Sequence, residues 1–233
     1  GPKFLKKDGW YYILAPAGGV ETGWQVVLRS RNIYGPYESK TVLEQGNTAI
    51  NGPHQGALMD TAGGEWWFVH FQDAGVYGRV THLQPVKWDD GWPMMGKKRD
   101  GIAEPVLHHS KPATVSGQTL APQTSDEFDS PALGLQWQWH ANHRDHWYEL
   151  GPRKSWLRLH PQFAPHEKLA QVPNLLLQKF PARAFTVETS LDFTAAQPGE
   201  EAGGSVAGVS SAALALEKTD SGTQLVLRID AVK

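Results

Sequence analysis

The chain has 233 residues, enough for one large domain or two small ones that each bury a core. It contains no cysteine, which excludes disulfide bonds, thiolate catalysis, zinc–thiolate sites and iron–sulfur clusters. The 22 basic and 24 acidic residues leave a formal charge of −2 without long runs of like charge, so nucleic acids and membrane surfaces are not expected partners.

Glycine and proline limit helices in the first half of the chain. The sequence has 24 Gly and 16 Pro, and within residues 1–131 the longest stretch free of both runs only from Trp24 to Tyr34. Because both residues interrupt helices, no long helix fits there. Short strands are predicted instead.

An internal repeat organises residues 1–112. The segment Asp8–Gly19 matches Gly64–Gly75, with aromatic residues at the same positions. Each copy predicts a strand, a polar turn, an aromatic strand, a glycine loop, a further strand (Gln25–Ser30 or Gly78–Leu83) and an aromatic-rich edge segment. A repeating unit of about 55 residues with four short strands is typical of a propeller blade. Two aromatic hairpins that match by coincidence are the alternative.

The composition changes after this repeat. Residues 113–125 are small and polar, which predicts a linker. Within residues 126–233, apolar residues alternate with a period of two, as in half-buried strands. They are Leu135, Trp137 and Trp139, then Phe185, Val187, Leu191 and Phe193, and last Leu225, Leu227 and Ile229. Leu214–Lys218 and Gln224–Ile229 should form a hairpin with Gly222 at positive φ. A sandwich or jelly roll fits this region better than a second propeller, because the repeat does not recur.

Several motifs of the chain occur in a recognisable order. They are Gly1–Tyr12, Asn51–Gly56, His70–Asp73, Tyr77–Val80 and Trp88–Pro93, followed by Asp126–Trp139. The first five resemble the later blades of family 43 glycoside hydrolases, five-bladed β-propellers that act as β-xylosidases and α-L-arabinofuranosidases. The last resembles the opening of the concanavalin A-like sandwich that follows the propeller in β-xylosidase-type members. The resemblance implies an all-β chain with about two blades of an incomplete propeller (1–112), a linker (113–125) and a truncated concanavalin A-like β-sandwich or jelly roll (126–233).

The resemblance also implies where the catalytic groups lie. Family members are inverting enzymes whose two catalytic aspartates belong to earlier blades, and whose general-acid glutamate directly precedes a Gly-Pro segment. This chain starts at that Gly1-Pro2, so we expect the general acid immediately before Gly1 and no catalytic carboxylate in the chain.

The function expected on this basis is that of a fragment of an inverting glycosidase. The parent enzyme would release xylose or arabinose from xylan or arabinan oligosaccharides, and the fragment itself would be inactive. A non-catalytic carbohydrate-binding or structural β-protein is the alternative. The residue directly upstream would separate the two, since the glycosidase needs a glutamate there.

Two residues stand out as candidates for the site. His54 is a candidate metal ligand, since the resemblance implies that it lies in the central channel beside a calcium or sodium ion or an ordered water; a buried core histidine is the alternative. Arg79 is a candidate substrate ligand, because the resemblance implies a pocket arginine at this motif and its guanidinium is a planar fork of donors for sugar hydroxyls; a surface arginine on an edge strand is the alternative. The resemblance also implies that the loop containing Gly18 and Gly19 presents its backbone to the sugar and that Phe71 and Gln72 lie near the pocket wall, so these four residues are further substrate-binding candidates. Calcium is expected to be structural, and no organic cofactor is expected.

Overall fold

The computed structural model describes residues 1–113, 120–163 and 168–231. The chain divides into two compact units, residues 1–118 and 119–233. Of the predicted linker, residues 114–119 lie outside the described part. The described helices are short 3-10 turns at Gly75–Tyr77, Asp145–Trp147 and Leu169–Gln171. None of the helices described is long and apolar enough to cross a membrane.

Two successive four-stranded antiparallel sheets make up most of the first unit. The first sheet holds β1 (Lys3–Lys7), β2 (Trp10–Ala17), β3 (Trp24–Ser30) and β4 (Glu38–Leu43). The second holds β5 (His54–Asp60), β6 (Trp66–Asp73), β7 (Arg79–Asp89) and β8 (Trp92–Met95). In both sheets each strand pairs with the next one along the chain. The predicted repeat is thus a repeat of four-stranded units.

The core of the first unit is built from both sheets. Alternate residues of β2 point inward because side chains of a strand face opposite sides in turn, and Tyr12 and Leu14 are buried there. Phe68 of β6 is fully buried in the same cluster. The remaining members are Val27, Val42, Leu43, Trp92, Met94, Met95 and Ala103. Burial of one such side chain stabilises the fold by about 1.5–3 kcal/mol, so this cluster is the main stabilising element of the first unit.

Arg29 contacts both sheets. Arg29 of β3 is 8% exposed, and its Nε–H donates to Glu38 Oε1 at 2.6 Å. A second N–H of its guanidinium donates to the carbonyl of Asp90, in the turn between β7 and β8. The guanidinium lies 4.7 Å from the ring centroid of Trp10 in the first sheet and 4.1 Å from that of Trp92 in the second. Both sheets therefore contact one cation.

After the second sheet the chain returns to the first. It does so in a hairpin of β9 (Lys97–Arg99) and β10 (Ile102–Glu104). The amide of Glu44, just beyond β4, donates to the Ala103 carbonyl at 2.8 Å. The side chain of Glu104 is 4% exposed and accepts the Asn47 N–H at 3.0 Å. The hairpin is thereby bonded to the segment that leads from the first sheet to the second.

The second unit has short strands and one larger sheet. The short ones are β11 (Gln138–Trp139) with β14 (Leu176–Leu177), and β12 (Tyr148–Leu150) with β13 (Leu157–Leu159). The larger sheet has the order β15 (Glu201–Val206), β16 (Ser211–Thr219) and β17 (Gly222–Asp230). It contains the predicted hairpin, with Gly222 at φ +147°, and confirms that prediction.

Two of the predicted strands in this unit are wrong or too long. Phe185, Val187, Leu191 and Phe193 lie outside the described strands, and the first three of them are exposed. The strand predicted around Trp137 is reduced to Gln138–Trp139. Alternation indicates which face a strand would bury, but a strand forms only where its backbone meets a hydrogen-bonding partner.

Candidate functional site

Glycines shape the loop between β2 and β3. Gly18 has φ +75°, and a Cβ at this position would lie 2.9 Å from both the Cα of Gly23 and the ring of Trp24. A Cβ on Gly23 would lie 2.6 Å from the Ala17 carbonyl oxygen and 2.7 Å from Nε2 of His54. Such distances are too short for a side chain, so the loop closes against His54 only because both residues are glycine. Gly19 is exposed in the same loop.

His54 is the first residue of β5 and is 3% exposed. Its Nδ1–H donates to the Gly52 carbonyl at 2.7 Å, which leaves a lone pair on Nε2. This Nε2 faces the Cα of Gly23, and the ring centroid lies 5.8 Å from that of Phe71. The imidazole can therefore accept a hydrogen bond or bind a cation through Nε2.

Arg79 lies at the start of β7, opposite Asp73 in the register with β6. Its guanidinium is 4.6 Å from the ring centroid of Phe71. The residue is exposed, whereas Phe71 is half-buried. Phe71 is thus in ring contact with His54 on one strand and with Arg79 on another. The structure brings together three of the predicted residues, and the Gly18–Gly23 loop adjoins them through His54.

Gln72 follows Phe71 in β6, so its side chain lies on the opposite face of the sheet. Its Nε2 donates to the Ala49 carbonyl at 2.8 Å, and its Oε1 accepts from Nε2 of His82 at 3.0 Å. Both polar ends of the amide are occupied by protein partners. Gln72 therefore contacts the segment before β5, while the neighbouring Phe71 contacts His54 and Arg79.

The described side chains around His54 supply few of the ligands that calcium takes. Calcium takes about 6–8 oxygen ligands, mainly carboxylates, carbonyls and waters. Among residues 1–113, 120–163 and 168–231, no group of three or more His, Cys, Asp or Glu side chains is placed to hold a metal ion. His54 offers a single nitrogen. Calcium bound to His54 would therefore need carbonyl or water oxygens to complete its ligand set, and calcium binding at His54 stays a prediction.

A pair of histidines beside these residues was missed by the sequence analysis. His70 and His82 are register partners on β6 and β7, with ring centroids 5.4 Å apart and planes at 22°. His70 is 2% exposed, stacks on Phe68 and donates through Nδ1–H to the Phe71 carbonyl at 3.1 Å. Burial lowers its pKa to about 4, and its Nε2 is buried without a hydrogen-bond partner in the described structure. The 12-residue spacing of the pair becomes meaningful only once the strand register is known.

Both units match models of one enzyme family. Residues 1–93 match the model described as glycosyl hydrolases family 43. Residues 125–232 match the model described as the beta xylosidase C-terminal concanavalin A-like domain. The two matches lie in the two compact units of the structure, one in each.

Curated relatives are longer than this chain. A Xylanibacter ruminicola protein is 53% identical over 77% of the chain and 34% of its own length. A beta-xylosidase of Formosa agariphila is 42% identical over 71% of the chain and 32% of its own length. A non-reducing end alpha-L-arabinofuranosidase of Bacteroides ovatus is 30% identical over 87% of the chain and 40% of its own length. The chain spans about a third of the length of the first two relatives.

A solved structure of the same family agrees with both units. The crystal structure of the family 43 protein BlXynB from Bacillus licheniformis matches 98% of this chain and 46% of its own, with a TM-score of 0.77 and 27% identity. The predicted fold class is confirmed, with propeller blades in the first unit and a concanavalin A-like domain in the second. The chain belongs to family 43 of the glycosyl hydrolases.

Proposed function

We propose that this chain is part of an inverting glycosidase that releases xylose or arabinose from xylan- or arabinan-derived oligosaccharides. The names of its relatives, a beta-xylosidase and an alpha-L-arabinofuranosidase, support this substrate class. The observation that carries the proposal is the cluster of His54, Phe71 and Arg79 beside the Gly18–Gly23 loop. Its residues come from three strands of one blade and a loop of the other.

The cluster can recognise a sugar by complementary chemistry. The exposed guanidinium of Arg79 offers several N–H donors in one plane, which suits neighbouring hydroxyl oxygens. The ring of Phe71 holds that guanidinium by a cation–π contact, so less freedom is lost when a sugar binds. Nε2 of His54 adds an acceptor. These residues bind and orient; the chain contributes no residue to which we assign proton transfer.

We further propose that the chain does not hydrolyse glycosides by itself. An inverting mechanism needs a general acid and a general base about 6.5–9.5 Å apart, with a water between the base and the sugar. Asp73, the carboxylate closest in sequence to the cluster, already accepts the Gly75 N–H at 3.1 Å in a turn. We assign the catalytic carboxylates to parts of the parent protein outside residues 1–233, since the chain spans about a third of the length of its first two relatives.

Two measurements on the full 233-residue chain test these proposals. The first is release of nitrophenol from nitrophenyl xyloside and arabinofuranoside. We expect none above buffer, and turnover that survives repurification would refute the assignment of the carboxylates. The second is binding of xylose and arabinose, followed by NMR titration.

The binding measurement needs a matched variant pair. Arg79→Ala should weaken sugar binding at least about tenfold, since a hydrogen bond to a charged group contributes about 1.5–3 kcal/mol. Arg31→Ala is the control, because Arg31 is also an exposed arginine stacked on an aromatic ring, 4.0 Å from the centroid of Trp10. Equal affinity in both variants would refute the role of Arg79.

A further inference from the structure

The side-chain amide of Gln72 is held at both ends. Its nitrogen can only donate, so the contact with the Ala49 carbonyl fixes which way the amide points. Its oxygen can only accept, so Nε2 of His82 must carry the proton of the 3.0 Å hydrogen bond. Burial lowers the pKa of His82, so near pH 7 the ring is neutral and has a single N–H. The contacts therefore specify the Nε2–H tautomer of His82.

The ring of His82 is in turn anchored to the core. It stacks on His70 at 5.4 Å, and His70 stacks on Phe68 at 5.8 Å with an interplanar angle of 17°. Phe68 is fully buried in the main hydrophobic cluster. Three nearly parallel rings thus lead from the core to His82, and they restrict the direction in which its Nε2–H can point.

The other hydrogen-bond partner of the Gln72 amide, the Ala49 carbonyl, lies in the chain segment that leads to His54. Ala49 belongs to the connection between β4 and β5 and is itself exposed. Three residues after it, the Gly52 carbonyl accepts the Nδ1–H of His54 at 2.7 Å. Gln72 is therefore bonded to the chain segment whose conformation sets the position of the His54 ring.

We propose that His82 is a positioning residue of the sugar site: through Gln72 it holds residues 49–54, and thereby sets the place of the His54 imidazole relative to Phe71. The effect on sugar affinity rests on the function proposed above. The effect on His54 does not, because it follows from the hydrogen bonds alone. A purely structural role for His82 would reside in its stacked ring and would not depend on its N–H.

That difference is tested by a ring-preserving substitution. His82→Phe keeps an aromatic ring against His70 and removes the hydrogen bond to Gln72. His109→Phe is the matched control, since His109 contacts the ring of Trp67 at 5.4 Å and takes no part in that hydrogen bond. The side-chain nitrogens of ¹⁵N-histidine-labelled full-length chain are recorded by NMR, and xylose affinity is measured by titration.

We expect His82 of the unsubstituted chain to show the Nε2–H tautomer. His82→Phe should shift the imidazole nitrogens of His54 and weaken xylose binding on the order of fivefold, the effect of one neutral hydrogen bond. His109→Phe should do neither. Unchanged His54 signals in a folded His82→Phe chain would overturn the proposal, as would the Nδ1–H tautomer of His82.

A second variant covers the case in which His82→Phe does not fold. Gln72→Glu keeps an acceptor for His82 and removes the donor to Ala49, so it should shift His54 while leaving the His82 tautomer in place. If neither imidazole nitrogen signal of His54 shifts in this variant, the proposal fails. Should the unsubstituted chain bind neither xylose nor arabinose, the proposed function fails, but the His54 signals still decide whether His82 positions that ring.

Discussion

Replacement of Arg29 tests how the two sheets of the first unit are held together. Its guanidinium contacts the indoles of both Trp10 and Trp92, which belong to different sheets. It also donates to the Asp90 carbonyl across the same boundary. In Arg29→Ala this carbonyl loses its donor, and the indoles of Trp10 and Trp92 lose their contacts with the guanidinium.

The expected cost follows from these contacts. A hydrogen bond from a charged group contributes about 1.5–3 kcal/mol, and each cation–π contact contributes about 0.5–2 kcal/mol. The ion pair with Glu38 adds at most about 1 kcal/mol, because the Glu38 side chain is 54% exposed. The losses overlap and water will enter the gap, so we expect Arg29→Ala to lower the free energy of unfolding by about 3 kcal/mol.

Arg31→Ala is the matched control for this prediction. Arg31 stacks on the same indole, 4.0 Å from the centroid of Trp10, but it is exposed and donates to the Asp8 carbonyl within the first sheet. Its removal should cost less than about 1 kcal/mol. Arg29→Lys should lie between the two alanine variants, because it keeps a positive charge and loses the planar fork.

The assay is urea denaturation combined with hydrogen exchange. Exchange of peptides from β3 and β7, followed by mass spectrometry, reports on the first unit separately from the second. The free energies of unfolding of Arg29→Ala and Arg31→Ala should differ by about 2 kcal/mol in the first unit, which is the difference between their expected costs. Equal costs for Arg29→Ala and Arg31→Ala would refute the argument that burial between the sheets makes Arg29 important.

The remaining predictions concern pH, calcium and the loop around His54. Burial lowers the pKa of His70 to about 4, whereas the usual histidine pKa of 6.5 applies in the unfolded chain. Between pH 6.5 and pH 4 the imidazole of His70 is therefore protonated in the unfolded chain but not in the folded one. The free energy of unfolding consequently falls as the pH drops from 6.5 to 4. The loss attributable to His70 is about 3 kcal/mol, and urea titrations of His70→Phe should lack that part of the decline. If His54 ligates structural calcium, added Ca²⁺ should raise the melting temperature of the unsubstituted chain but not that of His54→Ala. An unchanged melting temperature of the unsubstituted chain on addition of calcium would contradict the prediction. Gly23→Ala should lower the melting temperature and shift the His54 NMR signals, since its Cβ would lie 2.6 Å from the Ala17 carbonyl oxygen; an unchanged spectrum would contradict the loop geometry.

The repeat made the first unit largely predictable from sequence. Aromatic strands separated by glycine-containing turns predict hairpins locally, and β3 and β6 fall where the pattern indicates. The second unit was less predictable. Phe185 and Val187 alternate as a strand would, yet they lie outside the described strands, because alternation carries no information about a pairing partner.

The candidate site could be predicted only in part, for a similar reason. Spacing alone did not connect His54 with Arg79; the resemblance to family 43 pointed to both. His70 and His82 are 12 residues apart, and nothing in the sequence shows that β6 and β7 pair them directly. The register of a sheet depends on the whole hydrophobic pattern and on the turns, so contacts across strands are the last feature that a sequence reveals.

The return of β10 to the first sheet has a consequence for synthesis and folding. The amide of Glu44 is bonded to the carbonyl of Ala103, which the ribosome adds about 60 residues later. Contacts between residues so far apart close late, because the entropy lost in closing a long loop must be offset first. Exchange protection of the Glu44 amide should therefore appear together with that of the second sheet, after the local hairpins of the first. A nascent chain that stalls before residue 103 would leave the Glu44 amide without its partner. The β4 edge of the first sheet would then also lack the contact with β10.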